Sequence, residues 1–146
     1  MKKCWVFFIM FLFFFPCHGM AQEDYIGIIK TMSGKVYVQR DDRRIIAVPK
    51  MSLSAKDTVV TGHSGYAGIL FTDGTVITLG TRAEFRIDTY IFAPEDDAYY
   101  FSFFLEQGSA IYNSGKIGKL SPQSVKLSTP KATVGIRGTR FIVDLN

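Results

Sequence analysis

Short alternations of apolar and polar residues, cut by turn residues roughly every 8–12 positions, run from Tyr25 to the end of the chain. Side chains alternate faces along a strand, so this pattern builds half-buried strands and little else. Ile26 and Ile28 alternate, Ser33-Gly34 turns the chain, and Val36 and Val38 alternate again. Asp41-Asp42-Arg43-Arg44 makes a polar turn before an apolar run from Ile45 to Val48, and residues 49–56 read as a loop before a short strand over 58–61. Gly62-His63-Ser64-Gly65 turns into a strand with Ala67, Ile69 and Phe71 on one side. Asp73-Gly74 is the strongest hairpin signal, read as a type I′ turn with positive φ at both central residues. Ile77 and Leu79 continue on the return strand, and Phe85 and Ile87 on the next. No window of helical length carries a 3.6-residue period. The expected fold class is all-β, a single domain of short antiparallel or coiled strands. Pattern alone leaves sandwich, jelly roll, barrel and β-solenoid open.

The first residues are of another kind. Met1-Lys2-Lys3 is positive, and Cys4 to Phe15 is an uncharged run of 12 residues rich in Phe, Ile and Leu. Pro16 breaks it, and Gly19-Met20-Ala21 places small residues before Gln22. This predicts a secretory signal peptide over residues 1–21 and one domain over 22–146. A helix that crosses a bilayer takes about 20 apolar residues, so a membrane anchor formed by residues 4–15 is the alternative. Lipid attachment at Cys17 is a third, but Phe14-Phe15-Pro16 fits poorly with the small residues such a site wants. The expected location is periplasmic or extracellular, with membrane contact only if the signal segment stays in place. Both cysteines fall in that segment, so the exported chain has no disulfide, thiol nucleophile or thiolate ligand.

Removing Lys2 and Lys3 leaves 15 basic against 13 acidic residues. The charge is uneven: residues 115–146 hold Lys116, Lys119, Lys126, Lys131, Arg137 and Arg140 against Asp144 alone. A basic end suits an anionic partner such as a lipid headgroup, an acidic glycan or an acidic protein face. The plainer reading is the solvated side of amphipathic strands, as Lys126 between Val125 and Leu127 suggests. Nucleic acid is not expected, since export separates the chain from it and no aromatic-rich basic motif appears.

Catalytic chemistry finds little to work with. His63 is the one histidine after residue 21, and no Gly-x-Ser-x-Gly elbow accompanies it. In Gly-His-Ser-Gly it reads as a polar turn residue. Glu95-Asp96-Asp97 are adjacent carboxylates, whereas a calcium loop needs spaced ligands and a glycine, so a solvated loop is expected. No enzyme activity, metal or cofactor is expected. Further on, Tyr99, Phe101, Phe103 and Leu105 share one strand face, with Tyr100 and Phe104 on the other. A strand apolar on both faces is central in a packed stack or exposes a docking patch. Arg137, beside glycines, reads as an anion contact or as a structural arginine tying a kink to nearby carbonyls.

The closing stretch, Val125-Lys-Leu-Ser-Thr-Pro-Lys-Ala-Thr-Val-Gly-Ile-Arg-Gly-Thr-Arg-Phe-Ile-Val143, reads as two strands interrupted at Pro130. Val134 and Ile136 are out of phase with Phe141 and Val143, and a bulge or kink between Gly135 and Thr139 would restore a common face. Thr129, Pro130, Ala132, Gly135, Arg137, Gly138 and Thr139 also resemble the closing motif of the FecR domain, Thr-Pro-x-Ala-x-x-Gly-x-Arg-Gly-Thr. Asp57, Thr61 and Gly62 resemble that family's Gly-Asp-x-hydrophobic-x-Thr-Gly turn, with Lys56 where the family usually has glycine. Asp73 and Gly74 resemble its Phe-x-Asp-Gly-Ser/Thr hairpin, and Gly108, Gly115 and Lys116 the hairpin before the closing motif. The resemblance runs from about Ile26 to Val143 and implies a twisted, solenoid-like stack of short strands.

It also implies a role in the cell envelope, where FecR modules often form the exported part of a regulator answering an outer-membrane transporter. Three residues precede the hydrophobic run and three follow Val143, so an anti-sigma segment and a transporter-contacting subdomain are not expected here. The expectation is a stand-alone, non-catalytic binding, sensory or regulatory module that contacts an envelope protein or glycan. Candidate contacts are Arg137, Lys126 and Lys131, with Tyr100 and Phe104 as a second patch. The alternative is a structural envelope component that self-associates through strand edges.

Overall fold

The computed structural model describes residues 25–145. The expected signal segment, with Cys4 and Cys17, lies outside the described residues. The chain coils back and forth between two sheets. β1 (Gly27–Ser33) lies in the first sheet, and β2 (Val36–Arg40) and β3 (Arg43–Ile46) form a hairpin in the second. β4 (Ser52–Leu53) returns to the first sheet and β5 (Thr58–Thr61) to the second. The hairpin of β6 (Tyr66–Phe71) and β7 (Val76–Leu79) is in the first, and the longest hairpin, β8 (Glu84–Ala93) and β9 (Ala98–Gln107), in the second. β10 (Ser109–Asn113) is again in the first sheet. A short helix, α1 (Lys116–Leu120), then leads to β11 (Val125–Ser128) and β12 (Thr133–Gly135) in the second, before β13 (Arg140–Asp144) closes the first.

The strand orders are β13-β10-β7-β6-β1-β4 and β12-β11-β9-β8-β5-β2-β3, so early strands occupy one end of the stack and late strands the other. The all-β class is as expected, and this stepwise progression gives a two-layer stack its solenoid-like course. Neighbouring strands are antiparallel except β9 and β11, which run parallel. That parallel pair requires a crossover, and β10 with α1 supplies it.

One core fills the space between the sheets. Val36, Val38, Ile69, Ile77, Leu79, Phe85, Ile87, Phe101 and Leu105 are buried at the alternating positions expected of them. Phe101 of the second sheet meets Phe71 of the first at 4.7 Å between ring centroids, and Phe103 stacks on Tyr112 at 6.0 Å. These contacts put one face of β9 in the centre of the stack.

Four expectations are corrected. In β1 the inward residues are Gly27 and Ile29, one step out of phase with Ile26 and Ile28. A Cβ at position 27 would lie 2.9 Å from Leu70 O, so only glycine fills that inward place. The 49–56 loop contains β4, which buries Leu53. At Asp73-Gly74 only Gly74 has positive φ (87°), and Gly74 N donates to Phe71 O while Phe71 N donates to Thr75 O. This is a three-residue hairpin loop rather than a two-residue type I′ turn. Finally, the phase change near Gly135–Thr139 is the point where the chain leaves β12 for β13 in the other sheet. Gly138 carries that crossing at φ 143°, and Ile136 is buried beneath it.

Candidate binding face

The motif residues are mostly scaffold. Asp57 is buried and takes a bidentate pair from Arg40, Nε to Oδ1 at 2.9 Å and Nη2 to Oδ2 at 2.7 Å, plus Ser54 N at 2.8 Å. Thr61 Oγ1 donates to Gly80 O and accepts from Ala83 N, and Gly62 N donates to Lys35 O. Thr129 closes the β11–β12 turn, its N donating to Ala132 O and its hydroxyl accepting from the N–H groups of Lys131 and Ala132. Thr139 O accepts from Ser114 N, and Gly108 O from Leu145 N, which sew the closing segment to β10. Gly108 sits at φ 83° against the backbone of Ala83.

Asp73 is the centre of the largest polar cluster among the described residues. It is buried, and its carboxyl accepts from Thr75 N, Thr75 Oγ1, Tyr90 Oη and Ile117 N at 2.7–3.1 Å. Its own N donates to Tyr90 Oη, its carbonyl accepts from Lys116 N, and Gly115 N donates to Thr75 Oγ1. A Cβ on Gly115 would run into Thr75 N and Asp73 O. Burial pushes the Tyr90 phenol well above its ordinary pKa; the Thr72 hydrogen bond opposes this and the Asp73 carboxyl adds to it. Burial also raises Tyr112, with the hydroxyls of Ser114 and Thr75 opposing the shift. The cluster joins hairpin, helix start and the second sheet, with Asp73, Thr75 and Ile117 buried and Tyr90 half-buried at its edge.

The candidate contacts divide. Lys131 lies in the β11–β12 turn, where with Glu106, Pro130, Asp144 and Leu145 it lines an open cleft of about 350 Å³. Arg137 is exposed on the crossing to β13 and makes no hydrogen bond or ion pair among the described residues, where backbone bonds such as Ile136 N to Val125 O hold the kink. Lys126, Tyr100 and Phe104 come together on the outer face of the second sheet. Lys126 Nζ lies 5.5 Å from the Tyr100 ring centre, and the Arg86 guanidinium 4.7 Å from that of Phe104. Farther along the same face, Arg44 lies 4.3 Å over Tyr37. Each ring supports a cation, the geometry in which a π-face attracts positive charge. Arg86 Nε also pairs with Asp88 Oδ1 at 2.6 Å.

His63 is exposed, and its Nδ1 accepts from Arg82 Nε at 2.8 Å. A guanidinium cannot serve an imidazole as a proton relay. Glu95 and Asp96 belong to the exposed 3₁₀ turn Pro94–Asp96 at the tip of the β8–β9 hairpin, with Asp97 after them.

A family model described as FecR protein matches residues 57–146. The chain belongs to the FecR family. Neither a curated protein nor a solved structure matches it. FecR proteins are regulatory or sensory, non-enzymatic components of envelope signalling, associated with the cell envelope and periplasm. The FecR match starts at Asp57, later than the expected Ile26, although β1 pairs with β6 and β2 with β5 to complete both sheets. Among the described residues no helix is long and apolar enough to cross a membrane. Lys56, at the position where the FecR pattern usually has glycine, has φ 74°.

Arg44, Tyr37 and Arg86 were not candidates from the sequence. Each has an unremarkable neighbourhood along the chain, and only strand pairing puts them on one face with Lys126. Tyr90 was likewise silent, because its partners Thr72 and Asp73 are 18 and 17 residues away.

Proposed function

We propose that the protein is an exported, non-catalytic binding or sensory module of the cell envelope that docks a protein or glycan partner on the outer face of its second sheet. One observation carries this reading: Lys126, Tyr100 and Phe104 share that face with Arg86, Arg44 and Tyr37 in three ring-supported cation sites. A cation held over a ring loses little further freedom when it meets a ligand, and preorganisation of that kind favours binding. FecR membership supports the envelope setting. The test is affinity capture of the tagged protein from a cross-linked envelope extract, beside an Arg44→Gln, Arg86→Gln, Lys126→Gln variant. A discrete partner, lost in the variant, is the expected result; a partner retained by the variant moves the site to Lys131 or Arg137.

A self-associating structural component is the second reading. The outer edge of β13 is unpaired by any strand among the described residues, and Ile142 there is 61% exposed. Open edges template strand addition. Capture of the protein's own copies alone, with association that rises with concentration, is its signature.

A further inference from the structure

Strand pairing lines up one residue from every strand of the second sheet. Arg44 lies opposite Gln39, Gln39 opposite Thr58, and Thr58 opposite Arg86. Arg86 is then opposite Phe104, Phe104 opposite Ser128, and Ser128 opposite Thr133. Thr58, Arg86 and Phe104 alternate with buried neighbours, and pairing carries their outward face to the edge strands, so this row crosses the outer face at right angles to the strands. With strands about 4.8 Å apart, the six steps make a track about 29 Å long. Beside it, the next row holds Thr89, Ser102 and Lys126.

The track is polar at its surface and apolar beneath. Its hydrogen-bonding groups are two guanidinium forks, an amide and three hydroxyls, repeated at the sheet's own spacing. Arg86 stands against the Phe104 ring and, to either side, Arg44 and Lys126 stand against Tyr37 and Tyr100, with the cations exposed and the rings half-buried. A protein interface would want a desolvated aromatic or aliphatic centre, and a lipid surface an apolar wedge. Neither is presented by this row. What it presents is linear, flat, wet and cationic.

We infer that this row binds a linear acidic glycan, laid across the strands with its carboxylates on Arg44, Arg86 and Lys126 and its hydroxyls on Gln39, Thr58 and Ser128. This rests on the binding-module reading and adds the class of partner. Arginine forks match carboxylates two bonds at a time, and such charge-assisted bonds are the strong ones in a solvated site. The Arg86–Asp88 pair uses Nε and leaves the terminal nitrogens outside that bond. The two guanidiniums stand three strands apart and Lys126 two strands beyond Arg86, so a single sugar cannot reach them all. The ligand must be an oligomer.

The experiment is calorimetric titration of the purified protein with alginate oligosaccharides, a linear polyuronate. Neutral cello-oligosaccharides of the same length and phosphatidylglycerol vesicles serve as comparisons. Alginate should bind, longer oligomers more tightly than short ones, with affinity falling as salt rises. Arg86→Gln should weaken it about tenfold or more, the loss expected of one charge-assisted contact, and Lys126→Gln similarly. Both variants are at exposed positions, and unchanged thermal melting confirms their fold. Absence of alginate binding, equal affinity for the neutral oligomer, affinity unchanged in both variants, or binding of the vesicles alone would each overturn the inference. Capture of an envelope protein through the same face, without alginate binding, removes the glycan and keeps the binding module. Capture of nothing, without alginate binding, removes both.

Discussion

Asp57 and Asp73 each open a motif turn, and each is 1% exposed, yet their carboxyl groups are satisfied in unlike ways. Asp57 is held by a cation: Arg40 reaches it with both prongs from the end of β2, and one backbone N–H completes the set. Asp73 has only neutral donors, four of them, drawn from its own hairpin, from Tyr90 and from the start of α1. Arg40 is one-third exposed, so water competes for it, whereas three of the four bonds to Asp73 come from Thr75 and Ile117, which are fully buried. A buried acceptor tied to several enclosed donors cannot be lost singly; each donor left behind carries its own desolvation cost. A pair with one wet partner can be relieved by solvent.

The largest effect therefore belongs to Asp73. Asp73→Ala should lower unfolding free energy by roughly 3–4 kcal/mol in urea titrations, since it takes the acceptor from Thr75 N, Thr75 Oγ1 and Ile117 N together. Asp73→Asn keeps the volume but turns an NH₂ toward donors, and should cost about half as much. Next comes Arg40→Ala, at about 2 kcal/mol, because Asp57 stays buried with Ser54 N as its remaining donor. Adding Asp57→Ala to that variant should cost little more, which a double-mutant cycle reads as coupling. Equal losses for Asp73→Ala and Arg40→Ala would erase the distinction between the two sites.

Both aspartates were legible as turn residues in the sequence, and neither network was. Periodicity reports which face a residue takes, so Val36, Val38, Ile69, Ile77, Phe101 and Leu105 could be placed inside. It failed in β1, where Ile26-Gly27-Ile28-Ile29 offers two registers and the close approach of Phe71 selects the one with glycine inward. It passed over β4, two residues long, and α1, too short for a helical period. Lys126, Tyr100 and Phe104 were legible as outward-facing. That Arg86 and Arg44 join them depends on successive strand pairings, one of them between Thr58 and Arg86, 28 residues apart (86 − 58), which no local pattern encodes.

Tyr90 sharpens the comparison through pH. Its phenol is pushed up in the fold, burial first, with the Thr72 hydrogen bond opposing and Asp73 reinforcing. In the unfolded chain a tyrosine titrates near pH 10. Above that pH the unfolded chain gives up this proton before the folded one does, so unfolding is favoured and stability falls as pH rises. Each such group contributes at most about 1.4 kcal/mol per pH unit. The wild-type urea midpoint should drop steeply above pH 10, and Tyr90→Phe should reduce the slope without removing it, because Tyr112 is raised by burial in the same direction. An unchanged slope in Tyr90→Phe would mean that the phenol is more open to water than its place beside Asp73 implies. Arg40→Ala, on the other side of the comparison, should leave the slope alone.

The smallest effect lies next to Asp57 and runs the other way. Lys56 holds φ at 74°, a conformation that costs an L-residue roughly 1–2 kcal/mol and costs glycine almost nothing. Glycine gives back part of that gain through the freedom it adds to the unfolded chain. Lys56→Gly, which restores the residue usual in the family, should thus stabilise the protein by roughly 0.5–1 kcal/mol, seen as a higher urea midpoint at unchanged slope. The backbone bond from Lys56 N to Ile87 O survives the change, as does the Arg40–Asp57 pair. Destabilisation instead would mean that the lysine side chain contributes something at the edge of the Asp57 site that its backbone strain conceals. In that event the cation near Asp57 is not Arg40 alone, and the contrast with the neutral Asp73 cluster becomes wider.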